Sequence, residues 1–474
     1  MQSQSATKAL PPLGAYLFQQ KRIRFPDVVY GYIKLPSMLK NFIDTPEFQR
    51  LRNLCQLGTL RYKYPNAVHT RYEHCVGTSG NAGDWIRHLK EKSDEALHEF
   101  SMLAQSPNPN HELLECLRAR IAHINEEDIM LVQIAGLCHD LGHGPFSHCF
   151  EHLVNGLGIE WHHEDISCAL LKRINNRIKI LSESQRKRVK CMIKGKVDKT
   201  DTGRPFLYDI VSNSKNGIDA DKFDYLSRDC LMTQSEPAAF NYKSVIEASR
   251  IENGEICYAA KYAPCLHQLV RHRFNMYAMV YTCWTTRAVE LMVQHAIYLA
   301  EDGLHLIECA RNRDVDAFLS YTDGIIPEIK RRRNEDEFKH AAIILDRIDT
   351  RDLYKFVGVI IKPNNYEGDL EADVKRHLQE KGLGEVAMTN KRQFDYGMGK
   401  SNPMEKIPFY SHENKLSTLG NYNLDIDRVM PTVCRQEEIG IFSILNESTA
   451  NIDMAMQEWR NGDARYESYY NAHN

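Results

Sequence analysis

The chain has 474 residues, of which 43% are apolar and 26% are charged, and its formal net charge is −3. Such a composition is typical of a soluble globular protein, and the length suits one large helical domain with a smaller lobe. The slightly acidic balance excludes a strong general attraction to nucleic acid or to acidic membranes. Any nucleic-acid contact is therefore expected to be local and secondary.

The sequence contains no pattern of a signal peptide and no apolar run long enough to cross a bilayer. Its 13 cysteines are scattered and form no C-x-x-C pair. This usage suits a reducing compartment and argues against a cysteine zinc site. We therefore expect an intracellular protein of the nucleus or the cytoplasm, and no import signal is evident.

The first elements are predicted to be a leader and a hairpin. Residues 1–20 are polar and contain prolines, so we expect a flexible leader. The alternation and aromatic content of FPDVVYGYIKL predict a short strand or hairpin.

A run of helices should follow. IDTPEFQRLRNLCQLGTL predicts one from Ile43 to Leu60, with Asp44 or Thr45 as N-cap. YEHCVGTSGNAGDWIRHLKEK and EEDIMLVQIAGLCHDLGH predict two more, and GHGPFSH interrupts the second. Helical sequence is also expected from about Ser235 to Asp302.

The character of the sequence changes near Thr350. DLYKFVGVIIKP and GEVAMTNKRQFDYGM have strand patterns, separated by the helical pattern EGDLEADVKRHLQEKG. We therefore predict a mainly α protein, with a helical core over residues 21–325 and a smaller C-terminal α+β lobe over residues 326–474. For the KRRR run ending at Arg333, a solvated helix face is favoured over a basic binding patch.

Four segments are rich in imidazoles and carboxylates. They are HTRYEH at residues 69–74, CHDLGHGPFSH at 138–148, WHHED at 161–165 and NGIDADKFDYLSRD at 216–229.

The pair His139–Asp140 ends the apolar run IMLVQIAGLC. A lone His-Asp dipeptide is usually an accident, but burial without partners would be costly here, so this placement favours a metal. His74 and Asp221 are the natural candidates for the remaining ligands. Imidazoles and carboxylates without a thiolate suit zinc, iron, manganese or cobalt, and an aspartate could bridge to a harder ion such as magnesium.

Further candidates surround that pair. His143, His148 and His163 are each more often structural when alone, but beside a metal pair they suit phosphate contacts and proton donors. Helical spacing places Asp221, Tyr225 and Asp229 on one stripe with Lys222 beside it, a set that could bind a phosphorylated sugar or form a solvated face. The candidate cations for phosphate are Arg71, Lys222 and Arg273. No P-loop pattern is present.

The sequence resembles the sterile-alpha-motif-and-HD-domain deoxynucleotide triphosphohydrolases from about Phe25 to Tyr410. The most specific stretches are IDTPEFQRLR, QIAGLCHDLGHGPFSH, NGIDADKFDYLSRD and DYGM followed by NP. The family's sterile-alpha-motif domain and its basic import segment have no counterpart in the sequence. The resemblance implies that residues 21–325 form an HD-domain catalytic core.

The resemblance also implies roles for individual residues. The catalytic metal would be bound by His74, His139, Asp140 and Asp221. The triphosphate and its magnesium would be contacted by Arg71, His143, Lys222, Tyr225 and Arg273. The 3′-hydroxyl would be read by Gln56 and Asp229, and the 2′ position would be crowded by Leu57 and Tyr281. His148 would act near the leaving 5′-oxygen, and Glu151 and His163 would assist His148. Two residues depart from the family pattern in this pocket: Glu151 replaces an aspartate and Tyr277 replaces a histidine.

Regulatory positions are kept only in part. Relative to the family, the guanine-nucleotide residues are present as Asp44, Gln49 and Arg52, and Arg250 and Lys261 also fit. Four positions that bind activator phosphates or the second nucleotide differ, namely Ile23, Pro26, Ala259 and Cys265. We expect guanine recognition to persist while activation by a second nucleotide, GTP or dNTP, is weakened or altered. The homo-oligomer, a dimer or tetramer, should then depend less on nucleotide.

The leading interpretation is a metal-dependent hydrolase that cleaves dNTPs to deoxynucleoside and inorganic triphosphate. It would hold zinc, iron or manganese at the HD site, with magnesium on the phosphates. One alternative is a catalytically weak HD protein that binds nucleotide or single-stranded nucleic acid through Gln185–Lys190 and Lys330–Arg333. A second is a phosphodiesterase. The sequence leaves open whether the role is nucleotide supply, antiviral defence or both.

Overall fold

A computed structural model of the chain describes residues 10–17, 19, 21–199, 201, 203–235, 241–363, 366–411, 416–417 and 435–462. Strands β1 (Arg22–Asp27) and β2 (Gly31–Pro36) pair antiparallel, which confirms the predicted hairpin. Of the predicted leader, residues 1–9, 18 and 20 lie outside the described ranges. Leu13 is fully buried and its N–H donates to the Ile180 carbonyl at 2.9 Å, so the packed chain begins before residue 21.

Helices dominate the body, which confirms the predicted fold class. In chain order they are α1 (Lys40–Ile43), α2 (Pro46–Gln49), α3 (Arg71–Ala104), α4 (His111–Arg120), α5 (Glu126–Cys138), α6 (His148–Gly156), α7 (His163–Ile178), α8 (Glu183–Ile193), α9 (Phe206–Asp209), α10 (Ala220–Thr233), α11 (Tyr242–Glu247), α12 (Ala263–Asn275), α13 (Trp284–Leu299), α14 (Glu301–Leu304), α15 (Leu306–Asn312), α16 (Val315–Phe318), α17 (Ile325–Arg331) and α18 (Asp336–Asp349). Among the described residues, no helix is both long enough and apolar enough to span a membrane.

Two predicted helices are wrong in part. The Ile43–Leu60 helix is only α2 followed by two 3-10 turns, Arg50–Asn53 and Gly58–Tyr62. Thr45 does cap α2, accepting from the Phe48 N–H, but the backbone becomes extended at Leu54. Short turns form there in place of a continuous helix, because tertiary packing outweighs the weak helix propensity of the local sequence.

The helical prediction from Ser235 to Asp302 misses a hairpin, and residues 236–240 of that segment lie outside the described ranges. β3 (Ser249–Glu252) and β4 (Glu255–Ala259) pair antiparallel across Asn253 and Gly254, both at positive φ. Asn-Gly is the preferred two-residue hairpin turn, so a clear signal was available. Between α12 and α13 the chain forms a π-helical turn, Met276–Tyr281, rather than one continuous helix.

The C-terminal lobe contains the predicted strands and helix. β5 (Lys355–Ile361), β6 (Ala387–Asp395) and the later β9 (Arg435–Ser443) form an antiparallel sheet with β9 in the centre. Helices α19 (Leu370–Glu380) and α20 (Thr449–Gly462) pack with it around a separate apolar cluster. β7 (Phe409–Tyr410) and β8 (Leu416–Ser417) instead extend the β3–β4 sheet.

Helix α18 packs into the core of the body. Phe338 and Leu345 of α18 are buried in the large apolar cluster together with α13 residues such as Val293. The basic run at the end of α17 is paired with acids: Lys330 contacts Asp349, and Arg333 contacts Asp346 at 2.9 Å.

Candidate active site and metal centre

Helix α3 supplies the first two site residues. Thr70 and Glu73 form a capping box, in which the Thr70 N–H donates to the Glu73 carboxylate at 3.1 Å. The helix start is thereby fixed. Arg71 and His74, three residues apart, both point into the protein and are 3% and 1% exposed.

Helix α5 supplies the next two. Its residues from Asp128 to Cys138 are all buried, and the helix ends at Cys138. His139 and Asp140 therefore leave the helix inside the protein. The Nδ1 of His139 lies 2.8 Å from the Gly136 carbonyl, which accepts its proton and leaves Nε2 as the free ligand atom.

Four ligand atoms meet between α3, α5 and α10. The Nε2 of His74 lies 3.0 Å from Oδ1 of Asp221, 3.2 Å from Nε2 of His139 and 3.5 Å from Oδ2 of Asp140. The Nε2 of His139 is also 3.3 Å from Oδ1 of Asp221. The ligand atoms of His74, His139 and Asp140 lie within 4.8 Å of one another, and Asp221 adjoins both imidazoles. Two imidazole nitrogens with neighbouring carboxylates suit a divalent transition metal, so this donor set fits the predicted ion.

The carboxylates of this centre are kept ionised. Burial alone would raise the pKa of Asp140, but Arg71 and the imidazoles of His139 and His143 hold that pKa well below its usual range. Burial likewise opposes ionisation of Asp221, yet His139 and His74 lower its pKa. Charged carboxylates are the form that binds a cation.

A second group of histidines adjoins Asp140. The Nε2 of His143 lies 3.3 Å from Oδ1 of Asp140, and its ring stacks on His163 at 3.9 Å. Glu151 Oε2 is 3.0 Å from Nδ1 of His163 and 3.3 Å from Nδ1 of His148. Burial lowers the pKa of His163, but its contacts with Glu151 outweigh this and raise it. The longer Glu151 side chain thus still reaches both imidazoles.

His148 is placed for contact with a ligand. It is the first residue of α6 and the last residue of the interrupting stretch GHGPFSH, and its side chain is 57% exposed. Its partner Glu151 is only 13% exposed. Desolvation lowers the pKa of His148, and Arg71 and His163 add to this shift, while the hydrogen bond with Glu151 opposes it.

A second polar pocket surrounds Asp229 on α10. The Nε2 of His69 lies 2.8 Å from Oδ1 of Asp229, and the Tyr281 hydroxyl donates to Oδ2 at 2.6 Å. Gln56 is 8% exposed, and its Oε1 has no hydrogen-bond partner among the described residues. Leu57 follows it and is 9% exposed. An unsatisfied buried amide oxygen is costly unless a ligand hydroxyl meets it.

The remaining candidates lie on α10, α12 and the turn after it. Lys222 pairs with Asp219 at 2.8 Å, and the Tyr225 ring is 6.5 Å from that of His74. Arg273 stacks over Tyr277 at 4.6 Å, and Tyr277 contacts Tyr281 edge to face. The structure thus brings the predicted catalytic, substrate and metal residues into one region.

Sequence reasoning missed three partners of these residues. They are His69, which holds Asp229; Asp224, which binds Nδ1 of His74 at 2.8 Å; and Asp395, whose carbonyl accepts from Arg273 at 2.8 Å. Each lies within or beside a motif that was singled out. A helical signal was available only for Asp224, which lies three residues after Asp221 on α10. His69 precedes α3 and Asp395 ends β6, so helical spacing pointed to neither.

Four of the five predicted regulatory residues line two other clefts. Asp44, Gln49 and Arg52 line a cleft of about 640 Å³ together with Ile23. Arg52 donates to Oε1 of Gln49 at 2.8 Å and stacks on Tyr72 at 3.5 Å.

Arg250 and Lys261 lie away from that cleft. Arg250 lines another of about 330 Å³, pairs with Glu252 at 2.6 Å and stacks on Tyr410. The ammonium of Lys261 lies 5.3 Å from the Tyr262 ring.

Comparison with known proteins agrees with this geometry. The model of the HD domain family matches residues 71–229, the span from Arg71 to Asp229. The deoxynucleoside triphosphate triphosphohydrolase SAMHD1 homolog of Dictyostelium discoideum is 29% identical over 439 residues, covering 91% of this chain and 79% of that protein. The SAMHD1 proteins of Gallus gallus and Homo sapiens are 31% and 32% identical, over 88% and 81% of this chain and 71% and 64% of theirs.

An HD domain binds divalent metal through its histidines and aspartates, and the donors meet here as that requires. The matches extend beyond this domain over most of the chain. The chain belongs to the family of the SAMHD1 deoxynucleoside triphosphate triphosphohydrolases.

Proposed function

We propose that this chain hydrolyses deoxynucleoside triphosphates to deoxynucleoside and inorganic triphosphate. The observation that carries the proposal is the convergence of His74, His139, Asp140 and Asp221 beside a pocket built on Asp229. Its relatives bear the name of that activity.

The chain would hold the sugar at the Asp229 pocket. Asp229 is fixed by His69 and Tyr281, so its carboxylate is oriented before a ligand arrives. The free Oε1 of Gln56 supplies an acceptor for the 3′-hydroxyl. Leu57 and the ring of Tyr281 would fill the space at the 2′ carbon, where a ribose carries a hydroxyl. Such crowding rejects ribonucleotides by steric exclusion.

The triphosphate would lie along the cationic side of the site. Arg71 sits beside Asp140, Lys222 opens α10, and Arg273 projects from α12. The charge of the phosphates in the transition state would be spread over these side chains. His143, Tyr225 and Tyr277 add hydrogen-bonding groups between them.

A metal ion at the HD site would be held by His74, His139, Asp140 and Asp221, with zinc, iron or manganese matching the donors and magnesium accompanying the phosphates. When bound, such an ion supplies Lewis acidity to the phosphoryl group and to the attacking water. His148 would protonate the leaving 5′-oxygen, with Glu151 hydrogen-bonded to both His148 and His163. General acid catalysis of this kind contributes typically ~10²–10⁴-fold.

Guanine-nucleotide regulation is part of the proposal. The cleft lined by Asp44, Gln49 and Arg52 lies outside the reaction pocket and carries both carboxylate and guanidinium groups, which suit a guanine edge and its phosphates. A second activating nucleotide would bind weakly, because Ala259 and Cys265 lack the charge and amide of their family counterparts. The active species would be a dimer or tetramer of this chain, inside the cell in the nucleus or cytoplasm.

The decisive assay identifies the phosphate product. Purified chain is incubated with dGTP and magnesium, and the expected products are deoxyguanosine and tripolyphosphate. His139→Ala and Asp140→Ala should abolish turnover, and near-normal activity in either would refute the site. Binding of nucleotide or single-stranded nucleic acid without any product would instead favour a catalytically weak HD protein.

A further inference from the structure

Asp224 of α10 is fully buried directly behind the metal centre. Its Oδ2 accepts the Nδ1 proton of His74 at 2.8 Å, on the side of the ring opposite the ligand atom Nε2. Neither oxygen is free for a metal, since Arg228 and Tyr30 also donate to this carboxylate. Asp224 therefore acts on His74 and not on the ion.

Arg228 holds that carboxylate from one helical turn further on. Its Nε and Nη2 donate to the two oxygens of Asp224, both at 2.9 Å, in a bidentate pair. Its Nη1 donates to Oδ2 of Asp27 at 2.8 Å. Arg228 is 1% exposed and Asp224 is 0% exposed, so solvent does not screen this group.

The other end of the group belongs to the β1–β2 hairpin. Asp27 is the last residue of β1, and its Oδ1 accepts from the N–H groups of Val29 and Tyr30 in the turn. The Tyr30 hydroxyl donates to Oδ1 of Asp224 at 2.9 Å and accepts from Asn81 at 2.9 Å. Two residues of one turn thus contact the pair that orients His74.

Helix α3 leaves room for this arrangement at Gly77. A Cβ on Gly77 would lie 1.8 Å from Oδ1 of Asp224 and 2.8 Å from Nη2 of Arg228. Any larger residue would displace the pair. Gly77 sits three residues after His74, so the helix that carries the ligand also makes the space for its partner.

We infer that Asp224 is a positioning residue for His74, and that Arg228, Asp27 and Tyr30 connect this metal ligand to the hairpin turn. The inference rests on the proposed metal centre. Asp224 fixes the His74 tautomer and ring orientation, so that Nε2 faces His139, Asp140 and Asp221. The hairpin turn holds the Asp224 carboxylate in place, directly through the Tyr30 hydroxyl and indirectly through Asp27 and Arg228. Metal affinity therefore depends on a tyrosine hydroxyl that is not a ligand.

The test measures metal affinity directly. Metal-stripped full-length chain is titrated with Zn²⁺ against a chelating indicator, for the wild type, Asp224→Asn and Tyr30→Phe. Loss of an outer partner of a metal ligand typically weakens affinity about 10–100-fold, which is expected for Asp224→Asn. Tyr30→Phe removes one hydrogen bond and should weaken binding by a few-fold.

The matched control is Tyr32→Phe, because Tyr32 lies on the same hairpin but is 63% exposed. It should bind Zn²⁺ as the wild type does. Thermal unfolding of the metal-free proteins separates positioning from stability, since a purely structural role lowers the melting temperature without changing the Zn²⁺ dissociation constant. Should Asp224→Asn fail to fold, Tyr30→Phe still decides.

Wild-type affinity in both Asp224→Asn and Tyr30→Phe overturns the inference while leaving the metal centre in place. A wild type that binds no Zn²⁺, Mn²⁺ or Fe²⁺ overturns both the inference and the proposed function.

Discussion

Arg273 of α12 donates a hydrogen bond from Nη1 to the backbone carbonyl of Asp395, 2.8 Å away at the end of β6. The carboxylate of Asp395 lies 3.2 Å from the same nitrogen. The helical body and the C-terminal lobe therefore meet at a candidate phosphate-binding cation. The lobe takes part in the site by holding this guanidinium in place.

Removing this guanidinium should damage turnover. Arg273→Ala is expected to lower kcat/KM for dGTP by about 10–100-fold, the loss expected when one charge-assisted contact of ~1.5–3 kcal/mol disappears. Steady-state kinetics measure it, and Arg271→Ala, an exposed arginine on the same helix, serves as control. Equal kcat/KM in the two variants would exclude Arg273 from the phosphate site.

Tyr281 should determine the exclusion of ribose. Tyr281→Ala is expected to shrink the ratio of kcat/KM for dATP to that for ATP by about tenfold or more, because steric discrimination in a pocket is worth roughly 1–3 kcal/mol. Tyr281→Phe keeps the ring and should keep most of the ratio. An unchanged ratio in Tyr281→Ala would place the 2′ carbon elsewhere.

Arg52 should be required for guanine-nucleotide binding. Arg52→Ala removes a guanidinium from the cleft and should weaken GTP binding about tenfold, equivalent to ~1.4 kcal/mol. Calorimetry measures the GTP dissociation constant, and Arg118→Ala on α4 is the control because Arg118 is 72% exposed.

Assembly should respond only in part to nucleotide. In sedimentation, wild type with GTP plus dATP should shift only partly toward tetramer. A complete nucleotide-driven shift would contradict the weakened second site.

Glu290 gives stability a pH dependence. Burial alone would raise its pKa, but Arg287 and His152 outweigh burial and lower the pKa of Glu290 to about 2. Because the pKa of Glu290 is lower in the folded state, its ionised carboxylate stabilises the fold at pH values above about 4.5, the ordinary pKa of a glutamate. This stabilisation is lost as the pH falls toward about 2. Glu290→Gln should therefore lower the free energy of unfolding by roughly 2–3 kcal/mol at pH 7.

The same difference should shrink when denaturant unfolding is repeated near pH 3.5. Glu308→Gln is the control, because Glu308 is 59% exposed in its pair with His305 and should have little effect at either pH. A Glu290→Gln deficit that stays constant with pH would contradict a charge-based contribution.

The candidate metal ligands could be chosen from the sequence, because His139 and Asp140 follow a buried apolar helix where only a partnered charge is tolerated. It did not reveal Asp224. An Asp-Arg pair at i and i+4 is the usual pattern of a solvated helix face, and only packing of α10 against α3 buries it. The partner Tyr30 is 194 residues away in the chain, beyond any local pattern.

Local patterns also failed where tertiary packing decides. The Ile43–Leu60 segment has an N-cap and an apolar period, yet its helix stops at Gln49, and Gln56 and Leu57 are buried in the turns that follow. The sequence analysis missed the β3–β4 hairpin, although the pair Asn253–Gly254 is typical of a two-residue hairpin turn.

In the proposed reaction, water attacks the α-phosphorus and the 5′-oxygen leaves. Turnover of dGTP in ¹⁸O-labelled water, followed by mass spectrometry of both products, tests it most directly. We predict one ¹⁸O atom in tripolyphosphate and none in deoxyguanosine. Label in deoxyguanosine, or the formation of dGMP with pyrophosphate, would contradict the account.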